Sequence, residues 1–368
     1  MHIVIDARII NSSTGTYVER LLHYLQEVDM VNNYTVLVPS KDKDFWKPSA
    51  ANFTVEIADF KNYSVGEQIG FKKLLDQLHP DLVHFCMPQQ PVFYKGNHVT
   101  TFHDLNLLNT YNSDKKWLMY HAKQIVGRFV FRRVAHNSSQ IIVPSEYTKK
   151  DLIEFSHIAS DKITVTYECA DVSIETIEPY KQPFKRFILY VGQQSDYKNI
   201  RRLGDAHQRL IKKYPDLGLI LVGRKNASTI KNEEYFTDRQ YKNILFTDFI
   251  PNSQRDWLFT NTSAYIFPSL MEGFGLPGLE AMGYGAPVVS SNTTCLPEIY
   301  GDAAHYFNPN DTTDMARAID EVLSNDILRS ELIKEGYKQL KKYSWRTMAE
   351  QTYGVYMKAL DRHSKDLN

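Results

Sequence analysis

The sequence predicts an α/β protein with two domains, each built from a parallel sheet flanked by helices. Short runs rich in β-branched and aromatic residues alternate with longer segments of helical periodicity along the whole chain, and such alternation is typical of parallel sheets. The length of 368 residues suits two domains of roughly 150 residues each. A polar stretch at 171–185 interrupts the alternation near the middle of the chain, and we interpret it as a linker.

The predicted elements form one series on each side of that linker. In the first half we expect strands at 2–6, 34–38, 53–57, 81–85, 98–102, 139–143 and 162–166, and helices at 15–28, 66–78, 114–136 and 145–155. In the second half we expect strands at 187–191, 217–222, 243–246, 264–267, 287–290 and 304–307, then helices near 311–324, 326–342 and 344–361. The predicted domains are residues 1–172 and 185–343.

Composition and charge exclude several classes of protein. Lys plus Arg equals Asp plus Glu at 43 each, so the chain as a whole has no basic field for nucleic acid. Cys86, Cys169 and Cys295 are too far apart for a metal or disulfide pattern, which fits a reducing, cytoplasmic compartment. Residues 2–8 predict a first strand rather than a signal peptide, and no apolar stretch approaches the roughly 20 residues of a membrane span.

The segment at 267–282, FPSLMEGFGLPGLEAM, is the most informative. An apolar strand is followed by a glycine-rich loop and then by Pro277, a residue favoured in the first turn of a helix. Amides at such a junction carry partial positive charge, which suits phosphate or sugar oxygens. Glu272 lies in the loop, and Glu280 lies about one turn inside the helix. From composition alone, an ordinary strand-to-helix turn with two solvated glutamates explains the segment equally well.

This segment resembles the E-x7-E motif of glycosyltransferase family 4, whose members are retaining enzymes with the GT-B fold. Further motifs agree with the family in order and spacing: Tyr190-Val191-Gly192 with Lys198-Asn199, Leu221-Val222-Gly223, Gly285-Ala286-Pro287, Leu296-Pro297-Glu298, Tyr343-Ser344-Trp345, Phe102-His103-Asp104 and Val143-Pro144-Ser145-Glu146. The resemblance covers nearly the whole chain. It implies two Rossmann-like, doubly wound domains across a cleft, with a C-terminal helix at about 344–368 returning to the first domain.

For the second half, the resemblance implies a site for a nucleotide diphosphate sugar. Glu280 is expected to hydrogen-bond the ribose hydroxyls, and Glu272 to contact the donor sugar. Lys198 is expected to counter the charge that builds on the departing diphosphate, because fixed cations lower that barrier. The backbone amides expected to bind the donor follow Glu272 directly and belong to Gly273, Phe274, Gly275 and Leu276.

The pattern departs from the family at a second phosphate-binding cation. Many members pair the lysine with an arginine, but here Gln193 follows Gly192, and Tyr197 stands just before the lysine. Arg224, after the strand that ends at Gly223, is a candidate substitute. The missing arginine is also the one feature that favours a catalytically silent binding protein.

Three positions in the first half carry predictions. His103 follows the strand at 98–102 and matches a family position that contacts the transferred sugar, whereas a lone histidine is more often structural. Gly15 resembles a loop that approaches the diphosphate, and the alternative is a plain turn at the start of a helix. Asp42-Lys43-Asp44 has the outline of a metal-binding D-x-D motif but lies in a charged loop. We predict a solvated turn there, and no required metal or other cofactor.

The segment 115–133 is basic and amphipathic. Such a helix can lie on an anionic membrane, where a lipid-linked acceptor is found. The same pattern describes a helix that packs on the sheet and exposes a cationic face, and the sequence favours this second interpretation.

Overall, the sequence predicts a cytoplasmic retaining hexosyltransferase, with mannose as one candidate sugar, that acts on a glycan or lipid-linked glycan in cell-surface polysaccharide synthesis. The alternatives are a sugar-nucleotide epimerase and a silent sugar-nucleotide-binding protein.

Overall fold

A computed structural model of the chain describes residues 1–12, 14–109, 117–172 and 177–366. The described residues divide into two compact units. The first takes in Met1–Leu108, His121–Glu168 and the segment from Ser344 onward, and the second takes in Cys169–Tyr343 with Asn109–Tyr120. Each unit contains one sheet, and every strand pairing in both sheets is parallel.

The first unit is built on a seven-stranded sheet with the order β3-β2-β1-β4-β5-β6-β7. Its strands are β1 (His2–Asp6), β2 (Asn33–Val38), β3 (Phe53–Ile57), β4 (Leu82–Phe85), β5 (His98–Thr101), β6 (Gln140–Val143) and β7 (Ile163–Val165). The helices that precede the second sheet are α1 (Gly15–Val28), α2 (Lys72–Leu78), α3 (Asn106–Asn109), α4 (Trp117–Asn137) and α5 (Glu146–Ser156), with a π-helical turn at Glu67–Phe71 before α2.

The second unit is built on a six-stranded sheet with the order β10-β9-β8-β11-β12-β13. Its strands are β8 (Arg186–Val191), β9 (Leu217–Val222), β10 (Ile244–Phe246), β11 (Ala264–Phe267), β12 (Val288–Ser291) and β13 (Ala304–Phe307). Its helices are α6 (Ile200–Leu210), α7 (Ala227–Asp238), α8 (Asn252–Asn261), α9 (Leu276–Gly283), α10 (Leu296–Tyr300), α11 (Thr312–Ser324) and α12 (Asp326–Leu340).

Both sheets have the doubly wound strand order that the sequence predicts. The order reverses between β1 and β4 in the first sheet and between β8 and β11 in the second. Inner strands are buried on both sides, and all six residues of Leu217–Val222 are buried, because helices cover both faces of such a sheet. The carboxyl ends of the strands at each reversal form the crevice in which α/β proteins bind ligands.

The last helix, α13 (Trp345–Asp366), packs against α1 and the central strands of the first sheet. Tyr356 Oη lies 2.6 Å from His84 Nδ1 in β4, and Asn97 donates a hydrogen bond of 3.2 Å to the Ala359 carbonyl. The prediction that the C-terminal helix returns to the first domain is therefore confirmed. Among the described residues, no helix is both long enough and apolar enough to cross a bilayer.

Three histidines lie inside the two units where water does not reach them. Burial lowers the pKa of His84 to about 3. It also lowers the pKa of His98 and of His207 to about 4 each. The folded chain therefore keeps these rings neutral at pH values where the same rings in the unfolded chain bind a proton. As the pH falls below about 6.5, each of these histidines consequently lowers the free energy of unfolding.

We expect this effect to be measurable at His207 in the second unit. Below about pH 6.5, each buried histidine changes the free energy of unfolding by about 1.4 kcal/mol per pH unit. Glu280, whose pKa is raised to about 7, acts in the opposite direction, so the informative quantity is a difference between variants. Urea unfolding should be measured between about pH 6.5 and about pH 5. We expect the free energy of unfolding to change less steeply with pH in His207→Gln than in wild type, by about that amount per pH unit. His23→Gln, at a side chain that is 53% exposed, is the control. Equal slopes in His207→Gln and wild type would contradict the assignment.

Candidate active site

Three loops meet at the carboxyl edge of the second sheet, where the strand order reverses. The Leu270 amide, after β11, donates a 2.8 Å hydrogen bond to the Tyr197 carbonyl, after β8. Asn199 Nδ2 donates to the carbonyls of Pro268 at 3.0 Å and Pro309 at 2.8 Å. Asn199 has φ 62°, a left-handed conformation that asparagine tolerates better than most residues. This residue fixes the loops after β8, β11 and β13 to one another.

Lys198 and Glu272 form an ion pair at this junction. Lys198 Nζ donates a hydrogen bond to Glu272 Oε1 at 2.5 Å, and the two side chains are only 13% and 11% exposed. The ammonium also lies 5.0 Å from the centre of the Tyr197 ring and 5.5 Å from that of Phe267. Burial alone would lower the pKa of Lys198, but the adjacent carboxylate outweighs it and raises that pKa above its ordinary value. The pair thus places a permanent cation beside the end of β8.

The glycine-rich loop is shaped by backbone geometry and by one tyrosine. Gly275 has φ 101°, and a side chain there would come within 2.6 Å of Tyr300 Oη. The Tyr300 hydroxyl donates a 2.5 Å hydrogen bond to the Gly275 carbonyl. Helix α9 then begins at Leu276 with Pro277 in its first turn, as the sequence predicts. The positive end of this helix therefore lies at the end of the loop that starts with Glu272.

Two further contacts hold the loop in place. The Glu272 amide donates to Thr294 Oγ1 at 3.3 Å, and Cys295 Sγ donates to the Glu272 carbonyl at 3.3 Å. The Phe274 ring is buried and packs edge-on against Tyr343, with ring centres 5.7 Å apart. The backbone of the loop is therefore fixed on both sides of Gly273.

Glu280 lies in α9 and is partly buried. Burial raises its pKa to about 7; Arg255 opposes this shift, whereas Asp256 and Asp171 add to it. Arg255 is shared, because its Nε and Nη2 donate to Asp256 Oδ1 at 2.9 and 2.7 Å. Glu280 is thus a carboxyl group that is only partly ionised at neutral pH.

Arg224 lies at the same edge of the sheet but outside the Lys198–Glu272 cluster. Its guanidinium is exposed and lies 5.6 Å from the centre of the Phe249 ring. The amides of Lys225 and Phe249 both donate to Asp248 Oδ1, at 2.7 and 2.8 Å. These bonds join the loops after β9 and β10. A role for Arg224 as second cation stays a prediction.

His103 follows β5 in the first unit, and both of its ring nitrogens lie near acceptors. Its Nε2 is 3.0 Å from the Cys86 carbonyl, and its Nδ1 is 3.3 Å from Glu168 Oε1. Tyr17 packs edge-on against the ring at 4.8 Å. No sequence motif points to Glu168, because this buried carboxylate is 65 residues away from His103 in the chain. The role of His103 in sugar contact also stays a prediction.

The other first-unit predictions have mixed outcomes. Gly15 opens α1, and a side chain there would come within 1.9 Å of the Ile10 carbonyl oxygen, so close backbone packing already requires a glycine. Its contact with a diphosphate stays a prediction. The predicted solvated turn is wrong for Asp42, which is buried and accepts a 2.9 Å hydrogen bond from Asn11 Nδ2. Within the described ranges, no group of three or more His, Cys, Asp and Glu side chains is arranged to hold a metal ion.

Two family descriptions match the chain, one for each half. Residues 14–174 match "Glycosyltransferase Family 4". Residues 175–339 match "Glycosyl transferases group 1". Together the two matches cover most of both parallel sheets and include the Lys198–Glu272 pair, Glu280 and His103.

Curated relatives carry transferase names. The O-antigen chain mannosyltransferase B of Escherichia coli is 29% identical over 279 residues, which are 70% of this chain and 69% of that protein. The serotype-specific mannosyltransferase WbdA of Escherichia coli is 31% identical over 290 residues, 74% of this chain. The match spans only 34% of WbdA, about a third of its length.

Solved structures share the fold at low sequence identity. Sucrose-phosphate synthase from Thermosynechococcus elongatus superposes with a TM-score of 0.77 at 16% identity, covering 98% of this chain and 100% of that one. HepE from Anabaena, in complex with UDP and glucose, has a TM-score of 0.71 at 15% identity, covering 97% and 99%. At this level of identity, the likeness establishes the fold.

Proposed function

This chain belongs to glycosyltransferase family 4, and we propose that it transfers a hexose from a nucleotide diphosphate sugar to a glycan acceptor with retention of anomeric configuration. The observation that carries the proposal is the Lys198–Glu272 ion pair, with its 2.5 Å contact, at the strand-order reversal of the second sheet. Ligands of α/β sheets bind at such reversals. A cation there is placed to meet a diphosphate.

In the proposed donor complex, Lys198 moves its hydrogen bond from Glu272 to a phosphate oxygen. Glu272 then becomes free to accept hydrogen bonds from hydroxyls of the donor sugar. Before the donor binds, the Glu272 carboxylate raises the pKa of Lys198 in a largely buried site, where an isolated charge is costly. The pair therefore holds Lys198 in the cationic form that the reaction needs.

The remaining donor contacts follow from the loop and from α9. We assign the sugar and phosphate oxygens to the backbone from Gly273 to Leu276, where the positive end of α9 favours negative charge. We assign the ribose hydroxyls to Glu280, whose carboxylate form accepts two hydrogen bonds. Arg224, exposed after β9, is the proposed second cation.

Catalysis in this proposal depends on charge and positioning. When the bond from the anomeric carbon to the diphosphate breaks, negative charge develops on the leaving oxygen, and Lys198 stabilises it without reorganisation. The leaving phosphate accepts the proton of the acceptor hydroxyl as that oxygen attacks from the same side of the sugar. His103 and Gly15 are the first-unit residues that we assign to the donor sugar and the diphosphate.

The relatives suggest a mannose donor and a polysaccharide product. Several curated relatives carry mannosyltransferase names, and two are named for O-antigen chains. We therefore propose mannose as the transferred sugar and a growing surface polysaccharide as the acceptor. A silent sugar-nucleotide-binding protein remains the second candidate, because Gln193 occupies the position where many family members carry an arginine.

Screening of activated sugars separates the two candidates. We expect one nucleotide sugar among GDP-, UDP- and ADP-linked hexoses to raise the melting temperature, since a ligand at roughly 100 times its Kd adds about 2.7 kcal/mol to the free energy of unfolding. With that donor, NMR of the product should show the donor's anomeric configuration. Binding without transfer to any glycan acceptor would favour the silent protein, and an epimerised donor would identify an epimerase.

Removing Lys198 should lower turnover strongly and destabilise the fold, for separable reasons. Lys198→Ala leaves Glu272 buried without a partner, so we expect a loss of roughly 3 kcal/mol in the free energy of unfolding. We also expect kcat to fall about 100- to 1,000-fold, because the cation for the leaving group is gone. The double variant Lys198→Ala/Glu272→Ala should regain stability but not turnover.

A matched control is the pair formed by Lys225 and Glu233 in the same unit. Its nitrogen-to-oxygen distance is 2.6 Å, but the side chains are 46% and 29% exposed. Lys225→Ala should change the free energy of unfolding by less than about 1 kcal/mol and leave kcat unchanged. Full activity in Lys198→Ala would refute the proposed donor site.

Donor affinity should depend on pH through Glu280. Because its pKa is raised to about 7 and the ribose requires the carboxylate, affinity should increase about tenfold between about pH 6 and about pH 8. Calorimetry should use an intact nucleotide sugar, whose diphosphate does not titrate in that range. Glu280→Gln should bind more weakly at about pH 8 and show a flat profile. A wild-type profile as flat as that of the variant would contradict the ribose assignment.

A further inference from the structure

Helix α4 buries one side and exposes another that is partly apolar. Val134 and Ala135 are fully buried, as expected of a helix that covers a sheet. The opposite side should then be polar. Instead, Ile125 is 72% exposed, Val126 60% and Phe129 57%. The cationic face expected from the sequence therefore also carries three large apolar side chains; Lys115 and Lys116, at the start of that segment, lie outside the described residues.

This apolar surface continues beyond α4 onto two neighbouring segments of the first unit. Leu107 in α3 is 48% exposed, and its carbonyl accepts a 2.7 Å hydrogen bond from Gln124 in α4. Phe93 is 59% exposed, and its ring lies 5.3 Å from the guanidinium of Arg133 in α4. We call the combined surface the α4 face. It consists of Phe93, Leu107, Ile125, Val126, Phe129, Arg128, Arg132 and Arg133.

The charge of the α4 face is entirely positive. Residues 117–137 contain Lys123, Arg128, Arg132 and Arg133 and no Asp or Glu, although the chain as a whole has 43 residues of each sign. At helical spacing, the three arginines lie on the same side as the exposed apolar residues. The guanidinium groups of Arg128 and Arg132 lie 5.9 and 5.1 Å from the centre of the Phe155 ring. Among the described contacts, none of the three arginines pairs with a carboxylate.

We propose that the α4 face docks the protein on an anionic lipid bilayer. Apolar side chains on one side of a helix enter the boundary between head groups and acyl chains, and neighbouring arginines bind the lipid phosphates. Anionic lipid surfaces attract such basic residues, and each contributes about a fivefold gain in binding. That the same membrane presents a lipid-linked acceptor rests on the proposed function, whereas the docking itself does not.

A second copy of the chain is a poorer partner for this surface. A symmetric dimer contact brings the same patch of both copies together. Such a contact through the α4 face would place six arginines against one another without an acidic residue from α4 to offset them. An anionic bilayer supplies the opposite charge and an apolar layer at once, so it matches both features of the surface.

Vesicle flotation with the full chain tests the proposal. We expect binding to vesicles of phosphatidylglycerol and phosphatidylcholine in equal parts, and at least tenfold weaker binding to phosphatidylcholine alone. The double variant Ile125→Glu/Phe129→Glu should lose binding at least tenfold. The matched control is Ile327→Glu on α12, at an isoleucine that is 71% exposed, and it should bind like wild type. Arg128→Gln/Arg132→Gln/Arg133→Gln should bind weakly and lose most of its salt dependence.

Two controls keep the outcomes distinct. Every α4-face variant should retain nucleotide-sugar affinity, because the substituted residues belong to the first unit and the Lys198–Glu272 pair belongs to the second. A protein that binds vesicles but transfers no sugar would refute the proposed function and leave the docking proposal intact. Equal flotation of wild type and the α4 double variant would overturn the docking proposal. So would light scattering that shows a dimer dissociated by Ile125→Glu/Phe129→Glu, since the face would then bind a second copy.

Discussion

A buried cation needs a permanent counter-charge, and the second unit depends on this constraint. Lys198 reaches the carboxyl edge of the sheet through the loop after β8, and Glu272 reaches it through the loop after β11. These strands are neighbours only because the strand order reverses between them. Asn199 and the Leu270 amide fix the same two loops together. The sheet topology thus brings together two charged groups that are 74 residues apart.

The fold could be predicted because its signals are local. Continuous apolar strands, such as the one ending at Val222, and a proline in the first turn of α9 are visible in short windows of sequence. The positions of Glu272 and Glu280 followed from one motif. Helices α7 and α8 were not predicted, because their segments are strongly polar and show no clear apolar stripe.

What the sequence could not predict consists of long-range contacts and backbone conformation. The pairing of His103 with Glu168, the burial of Asp42 and the left-handed Asn199 each depend on where a distant segment lies. The exposed apolar side of α4 was missed for a related reason. Helical periodicity shows which residues share a side, but not which side the rest of the protein covers.

A crystal structure of the protein with an unreactive 2-fluoro nucleotide sugar would show whether Lys198 binds the donor diphosphate. We expect Lys198 Nζ to lie within about 3.2 Å of a phosphate oxygen, with Glu272 turned to the sugar and Glu280 at the ribose hydroxyls. A nucleotide sugar bound elsewhere, with the Lys198–Glu272 contact intact, would contradict the proposed donor site.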